Sequence, residues 1–230
     1  MAEKKAVLES GDKAEIMIAK AKDFWERNSK IISIVFTVLV LGVGGYFVYK
    51  NYIRKPKEEK ATDAMFKAEE YYRKDSANLA LKGDGQYLGF LKIIDKYSGT
   101  DAGNLACFYA GVCYLKLDDN QNAIKYLKKF SSSSKPVQAR VYKLLGDANG
   151  DLGKYADALD YYKKSAHVFE DDKDNSAEAL FLAAYLADKV MKNQKEAIEL
   201  YKEVKEKYPT TSQGIDARNY LAQLGVYNDN

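Results

Sequence analysis

Few residues in this chain have the types and spacing that chemistry needs. Its 230 residues hold one histidine, His167, and two cysteines, Cys107 and Cys113, in the run CFYAGVC. A structural zinc site wants four nitrogen or sulfur ligands at close spacing, and this pair with one distant histidine does not supply them. On a helix the two thiols stand about 9 Å apart along the axis and on different faces. That is beyond the reach of an intramolecular disulfide, so they read as small core-filling side chains. The run KGDGQ (82–86) has two glycines but no strand before it and no Lys-Ser/Thr after it, so it reads as a turn rather than a phosphate loop. EDDKDN (170–175) lacks the glycine and the closing glutamate of a calcium loop and reads as solvated. His167 falls near the end of a helical segment, exposed and without a catalytic role. No H-E-x-x-H pattern occurs. The expectation is a protein that is not an enzyme and uses no metal or cofactor.

Composition points to what such a chain does instead. Charged residues make up 30% and aromatics 13%, with 19 tyrosines and three prolines, which is not a disordered composition. The net charge of +3 comes from interleaved positive and negative residues, so no basic field advertises nucleic acid. Ala, Leu, Lys, Glu and Tyr dominate, a helical bias.

One stretch stands apart. From Ile31 to Tyr49 there is no charged residue, in the sequence IISIVFTVLVLGVGGYFVY. About 19 residues at 1.5 Å each give roughly 28 Å, the hydrocarbon thickness of a bilayer. A removable export signal would be shorter and end in small residues, whereas this run ends in bulky aromatics. Phe24 and Trp25 on one side, with Tyr46 and Tyr49 on the other, suit the two membrane interfaces. Gly42, Gly44 and Gly45 could seat a neighbouring helix, or reflect only the frequency of glycine in membrane helices. The reading is an uncleaved single-span anchor. Orientation is not readable from charge: Lys20, Lys22, Arg27 and Lys30 precede the span, and Lys50, Arg54, Lys55, Lys57 and Lys60 follow it. Within residues 1–30, DKAEIMIAKAKDFWERN has the pattern of a short amphipathic helix, with Asp12 as cap and Glu15 three residues on. After the span, residues 50–60 with RKPKEEK read as a charged tether.

Residues 61–230 repeat. YAGVCYLKLDDNQNAIKYLKKF aligns with KLLGDANGDLGKYADALDYYKKS, so that Gly111 and Gly146 are separated by the same interval as Ala123 and Ala158. A third copy places Ala197 and Tyr201 where the second has Ala158 and Tyr162. Its longer register needs an insertion around FEDDKDNSAE. YLGFLKIIDKY is a degenerate earlier copy, and SQGIDARNYLAQLG is a capping helix at the end. These small and aromatic positions resemble the tetratricopeptide repeat. The fold expected is all-α: a transmembrane helix followed by an α-solenoid of about three and a half helix pairs over 61–226.

In that repeat the first helix of each pair lines the concave face. Transferring the register puts Leu105, Phe108, Val112 and Leu115 of one copy there, and Leu182, Leu186 and Val190 of another. Between them the middle copy is polar, with Arg140, Lys143 and Asp147. An apolar groove of this kind could hold a partner's extended or helical segment, or be filled by the chain's own residues 61–74 or its capping helix.

The whole layout resembles the YfgM-like family of bacterial inner-membrane proteins. FWERNSK before the span, and GVGGYFVYKNY at its end, carry the resemblance. It implies an N-terminus in the cytoplasm, repeats in the periplasm, and association with the SecYEG translocon and a PpiD-like chaperone. The role it implies is handling newly exported polypeptides. The competing reading is a cytoplasmic-facing, membrane-anchored scaffold for envelope or division assembly.

Overall fold

The structure is a computed structural model that describes residues 2–227, with side chains from residue 17 onward. The chain divides into two compact units, residues 1–56 and 57–230.

In the first unit a single helix, α1 (Ala2–Val48), covers both the expected amphipathic segment and the apolar run. Asp12 therefore lies inside a helix rather than capping one. No break occurs at Asn28, whose side-chain amide donates to the Phe24 carbonyl at 2.8 Å, one turn back. Thr37 hides its hydroxyl the same way, donating to the Ser33 carbonyl at 2.8 Å, so neither of these side chains needs an outside partner. The expected tether is also helical. Tyr49–Arg54 forms a π-helical turn, and α2 (Lys55–Arg73) follows. Pro56 explains the wide turn: it has no amide to donate, and its ring would strike the carbonyl four residues earlier in an α-helix.

The second unit is a stack of helices: α2, α3 (Ala77–Lys82), α4 (Phe90–Lys96), α5 (Asp101–Lys116), α6 (Asn120–Leu127), α7 (Lys135–Asp151), α8 (Tyr155–Val168), α9 (Lys173–Tyr185), α10 (Gln194–Lys207) and α11 (Ser212–Gln223). Among the described residues there is no strand, only an isolated bridge between Gly83 and Leu88. A left-handed residue marks the turn inside each pair: Asp75, Asp118, Gly153 and Lys192, at φ 57°, 56°, 70° and 57°. These four turns define four pairs, not three and a half. In the first pair α2 is the leading helix, and the returning helix is split into α3 and α4. KGDGQ makes the split, a turn in which the Asp84 carboxylate accepts from the Gln86 and Tyr87 amides.

Three contacts set α2 alongside α5 in the same direction. Glu58 meets the amides of Asp101 and Ala102, Tyr72 packs edge-on to Tyr109 at 5.1 Å, and Asp75 pairs with Lys116. Leading helices thus stack in parallel. The chain's own residues 61–74 do not lie in a groove; they begin the stack. The longer register before the last pair comes from α8, which runs on to Val168, and the last pair adds a second π-helical turn, Leu186–Val190, after α9.

Close packing depends on small residues. Ala106, Ala110, Ala123, Ala158, Ala183 and Ala197 have no exposed surface. A Cβ on Gly111 would meet the Leu127 side chain at 2.6 Å, and one on Gly146 would meet the Tyr162 ring at 2.6 Å. Larger side chains fill the remaining space in two clusters. One, with Phe90, Ile93, Leu127 and Val141, runs from α2 to α7. The other, with Leu180, Leu200, Tyr201 and Leu221, runs from α8 to α11. Each such side chain contributes about 1.5–3 kcal/mol by leaving water. Cys107 and Cys113 are free and buried within α5, and burial pushes the Cys113 thiol up to about 12. Helix starts are held by side chains: Thr100, Asp119, Asp172, Asn193 and Thr211 each accept from an amide of the first turn.

Candidate partner-binding surface

The seven residues expected to line one apolar groove do not share one environment. Leu105 on α5 is exposed, at 38%, and turns toward α2. Phe108, one turn on, packs its ring 5.4 Å from that of Phe130 and is half-buried in the first core. Val112 is buried, and Leu115 is half-buried against the same core. In the last pair Leu186 belongs to the second core, and Leu182 packs half-buried against it. Val190, at 43% exposure, stands at the end of the π-helical turn. Val112 and Leu186 are thus taken up by packing, while Phe108, Leu115 and Leu182 keep part of their surface and Leu105 and Val190 stand exposed.

The helix stack also offers separate clefts. One, of about 370 Å³, lies between α2 and α5. Met65 and Ala102 lie buried beneath it, Phe66 and Leu105 stand exposed, and Glu58, Glu69 and Asp101 line it. Glu58 is fixed by its bonds to the Asp101 and Ala102 amides, at 2.7 and 2.8 Å. Two orphan amides at the start of α5 thus take their acceptor from another helix, where a negative charge also suits the helix dipole. The sequence reading places Glu58 in a tether and gives residues 61–74 no repeat register, so it passes over Phe66. The apolar spacing of Ala61, Met65 and Ala68 was the available signal for a buried face on α2.

A second cleft, of about 410 Å³, lies among α7, α8 and α9, lined by Arg140, Lys143, Leu144, Phe169 and Asn175 among others. Lys143 pairs with Glu178 at 2.7 Å. The polar character expected of the middle copy is thus realised at Arg140 and Lys143. Asp147 turns away from solvent and accepts the Tyr162 hydroxyl at 2.8 Å. Burial raises the Asp147 carboxyl, with the Tyr162 bond and the Lys143 charge opposing.

His167 is exposed and joins an ionic cluster. Its Nδ1 lies 3.0 Å from Glu170 and 3.8 Å from Glu203, and Lys207 lies 3.0 Å from both glutamates. The hydrogen bond from Lys207 holds Glu170 below its usual range, with His167 helping. This ties α8 to α10. Among the described residues no group of three or more His, Cys, Asp and Glu side chains is placed to hold a metal.

In the first unit, the expected membrane-contact residues all face outward. Phe24, Trp25, Tyr46 and Tyr49 are exposed, and Cβ atoms on Gly42, Gly44 or Gly45 would meet nothing within 4 Å. Lys50 lies 5.9 Å from the Tyr46 ring centre, the arrangement of a charge drawn along an aromatic side chain. This N-terminal helix is long and apolar enough to cross a membrane, and none of its apolar window is buried.

Comparison with known proteins supports the repeat architecture. Residues 106–133 and 178–211 match the tetratricopeptide repeat family model, covering α5–α6 and α9–α10. Two solved structures of a Podosopora anserina putative kinesin light chain with nearly identical TPR-like repeats are similar, one of them the Q17M form. That form is 11% identical and the other 12%, both with TM-score 0.52. They cover 72% of this chain, and 84% and 85% of their own. At such identity the likeness is one of fold. No curated protein matches the chain.

Proposed function

We propose that this chain is a membrane-anchored protein-interaction module that works beside the SecYEG translocon of a bacterial inner membrane, passing newly exported polypeptides on together with a PpiD-like chaperone. In this reading residues 1–30 lie in the cytoplasm, residues 31–49 cross the bilayer, and the tetratricopeptide repeats of residues 61–230 stand in the periplasm. The observation that carries it is the joining of one long apolar helix, α1, to a solenoid whose leading helices leave lined clefts open. The resemblance of FWERNSK and GVGGYFVYKNY to the YfgM-like family supplies the partners.

Asn230→Cys tests the topology, because Cys107 and Cys113 are buried and slow to react. Labelling by a membrane-impermeant maleimide in intact spheroplasts is the expected result. Protection until lysis would instead favour the cytoplasmic-facing scaffold for envelope or division assembly. The partner claim is tested by purification in mild detergent, with SecYEG and a PpiD-like protein expected in the eluate and their absence counting against it.

A further inference from the structure

The cleft between α2 and α5 differs in charge from the one among α7, α8 and α9, whose lining includes Arg140 and Lys143. Its lining includes three carboxylates, on Glu58, Glu69 and Asp101, and no lysine or arginine. Its apolar side is Phe66, 67% exposed, facing Leu105 over buried Met65. The chain carries 36 basic and 33 acidic residues, so a lining with three acids and no base is a local departure from a mixed surface. An aromatic side chain left in water beside a second exposed apolar residue, over a buried floor, offers an apolar contact to a ligand. The carboxylates decide the charge of what binds there.

We propose that this cleft is a docking site for a basic amphipathic segment of another polypeptide. One apolar side chain of that segment inserts between Phe66 and Leu105, and its flanking lysines or arginines face Glu69, Asp101 and the outer edge of Glu58. An anionic lipid surface is disfavoured by the same carboxylates. The α2–α5 cleft is ready-made, because its floor belongs to the first core and Glu58 is held by two amide hydrogen bonds. Little ordering is therefore needed when a ligand arrives. Glu69 keeps one ion-pair partner, Arg73, at 3.4 Å, a long and exposed contact that a ligand cation can share. The proposal rests on the reading of the repeats as a partner-binding surface, and it adds where on that surface and to what chemistry.

The test uses the full chain in nanodiscs of zwitterionic phosphatidylcholine. The probe is a short fluorescein-labelled helical peptide with leucine on one face and lysine on the other. A control peptide carries glutamate in place of every lysine, and empty nanodiscs correct for partitioning into lipid. The lysine peptide is expected to bind at least about tenfold tighter than the glutamate peptide, a difference of about 1.4 kcal/mol. Binding should weaken as salt is raised. Phe66→Ala with Leu105→Ala removes only exposed side chains and should leave helicity unchanged while weakening binding by about tenfold or more. Arg140→Gln, in the other cleft, should leave it unaltered. Equal binding of the two peptides would overturn the proposal, as would a double variant that binds like the parent, or an equal loss in Arg140→Gln. If the parent binds neither peptide, the cleft proposal fails alone, because co-purification of native partners reads the broader function independently.

Discussion

Tyr162 donates its hydroxyl to the Asp147 carboxylate at 2.8 Å while its ring fills the space that Gly146 leaves open. This contact closes α8 on α7 at the boundary between the two hydrophobic cores. Because Asp147 is raised by burial, its protonated form is favoured in the folded state. A folded pKa above the unfolded value means that the native protein binds more protons between the two, so stability from this residue rises as pH falls through that window. Asp147→Asn removes the titration but keeps an acceptor for Tyr162. The melting temperature of the parent relative to this variant should therefore rise as pH is lowered from neutral toward the ordinary carboxylate range. A flat difference would show that the Tyr162 bond and the Lys143 charge cancel the effect of burial, against this prediction.

Gly146→Ala forces the new methyl against the Tyr162 ring, where the approach is 2.6 Å. Overpacking costs about 1–3 kcal/mol, and the gain in helix propensity returns about 1 kcal/mol, so a net loss is expected. Gly150→Ala on the same helix meets only the Ala158 methyl, at 3.9 Å, and should be neutral or stabilising by up to about 1 kcal/mol. Urea denaturation of the two variants checks the contrast.

The intra-pair turns offer a second matched pair. Lys192 occupies at φ 57° the position that Gly153 occupies at φ 70°. Side chains in this conformation cost about 1–2 kcal/mol. Gly153→Ala should lower stability by about 1 kcal/mol, and Lys192→Gly should leave it unchanged or raise it slightly, because relief of strain is offset by the entropy of the unfolded chain.

Glu58→Ala strips the acceptor from the Asp101 and Ala102 amides at the start of α5, leaving the Thr100 hydroxyl to hold the Gly103 amide next to them. A loss of about 1–2 kcal/mol is expected, as for other caps. Hydrogen exchange should report it first at Asp101 and Ala102, with the amides of α10 unaffected.

In α1, the pair Leu39→Arg and Val40→Arg should release the chain from the carbonate-resistant membrane fraction. Each arginine near the centre of a span costs about 2.5–3.5 kcal/mol on insertion scales. Retention of the double variant in the membrane pellet would count against residues 31–49 as a span.

The repeats were legible because their steric requirements are written in single residues. Gly111 and Gly146 recur at the interval of Ala123 and Ala158, and Ala197 follows after a longer one; each stands where helices pack closely. The first pair was half missed for a physical reason. KGDGQ interrupts its returning helix, so the interval that marks the other copies is stretched, and its leading helix starts in a run of charges that resembles a linker. Surface residues were the least legible. Phe108 and Leu186 have the right spacing for a groove, but the rotation of each helix about its axis depends on neighbours distant in sequence. Phe130 and the second core claim them. Leu105, one turn before Phe108, is left outside.

The two hydrogen bonds from the start of α5 to Glu58 also have a mechanical meaning. Any tension along the chain from its N-terminal helix enters the solenoid through α2, and the first tertiary contacts it loads are Glu58 with the α5 amides and Lys57 with the Ser98 carbonyl, at 2.8 Å. Because α2 runs parallel to α5, a pull directed along the helix axis would have to slide one against the other, breaking these contacts with the Tyr72–Tyr109 and Asp75–Lys116 contacts together rather than in turn. Under such a pull the first repeat would resist in shear. A repeat array that grips a moving polypeptide while its own chain is held elsewhere would need resistance of that kind at the helix where the load arrives.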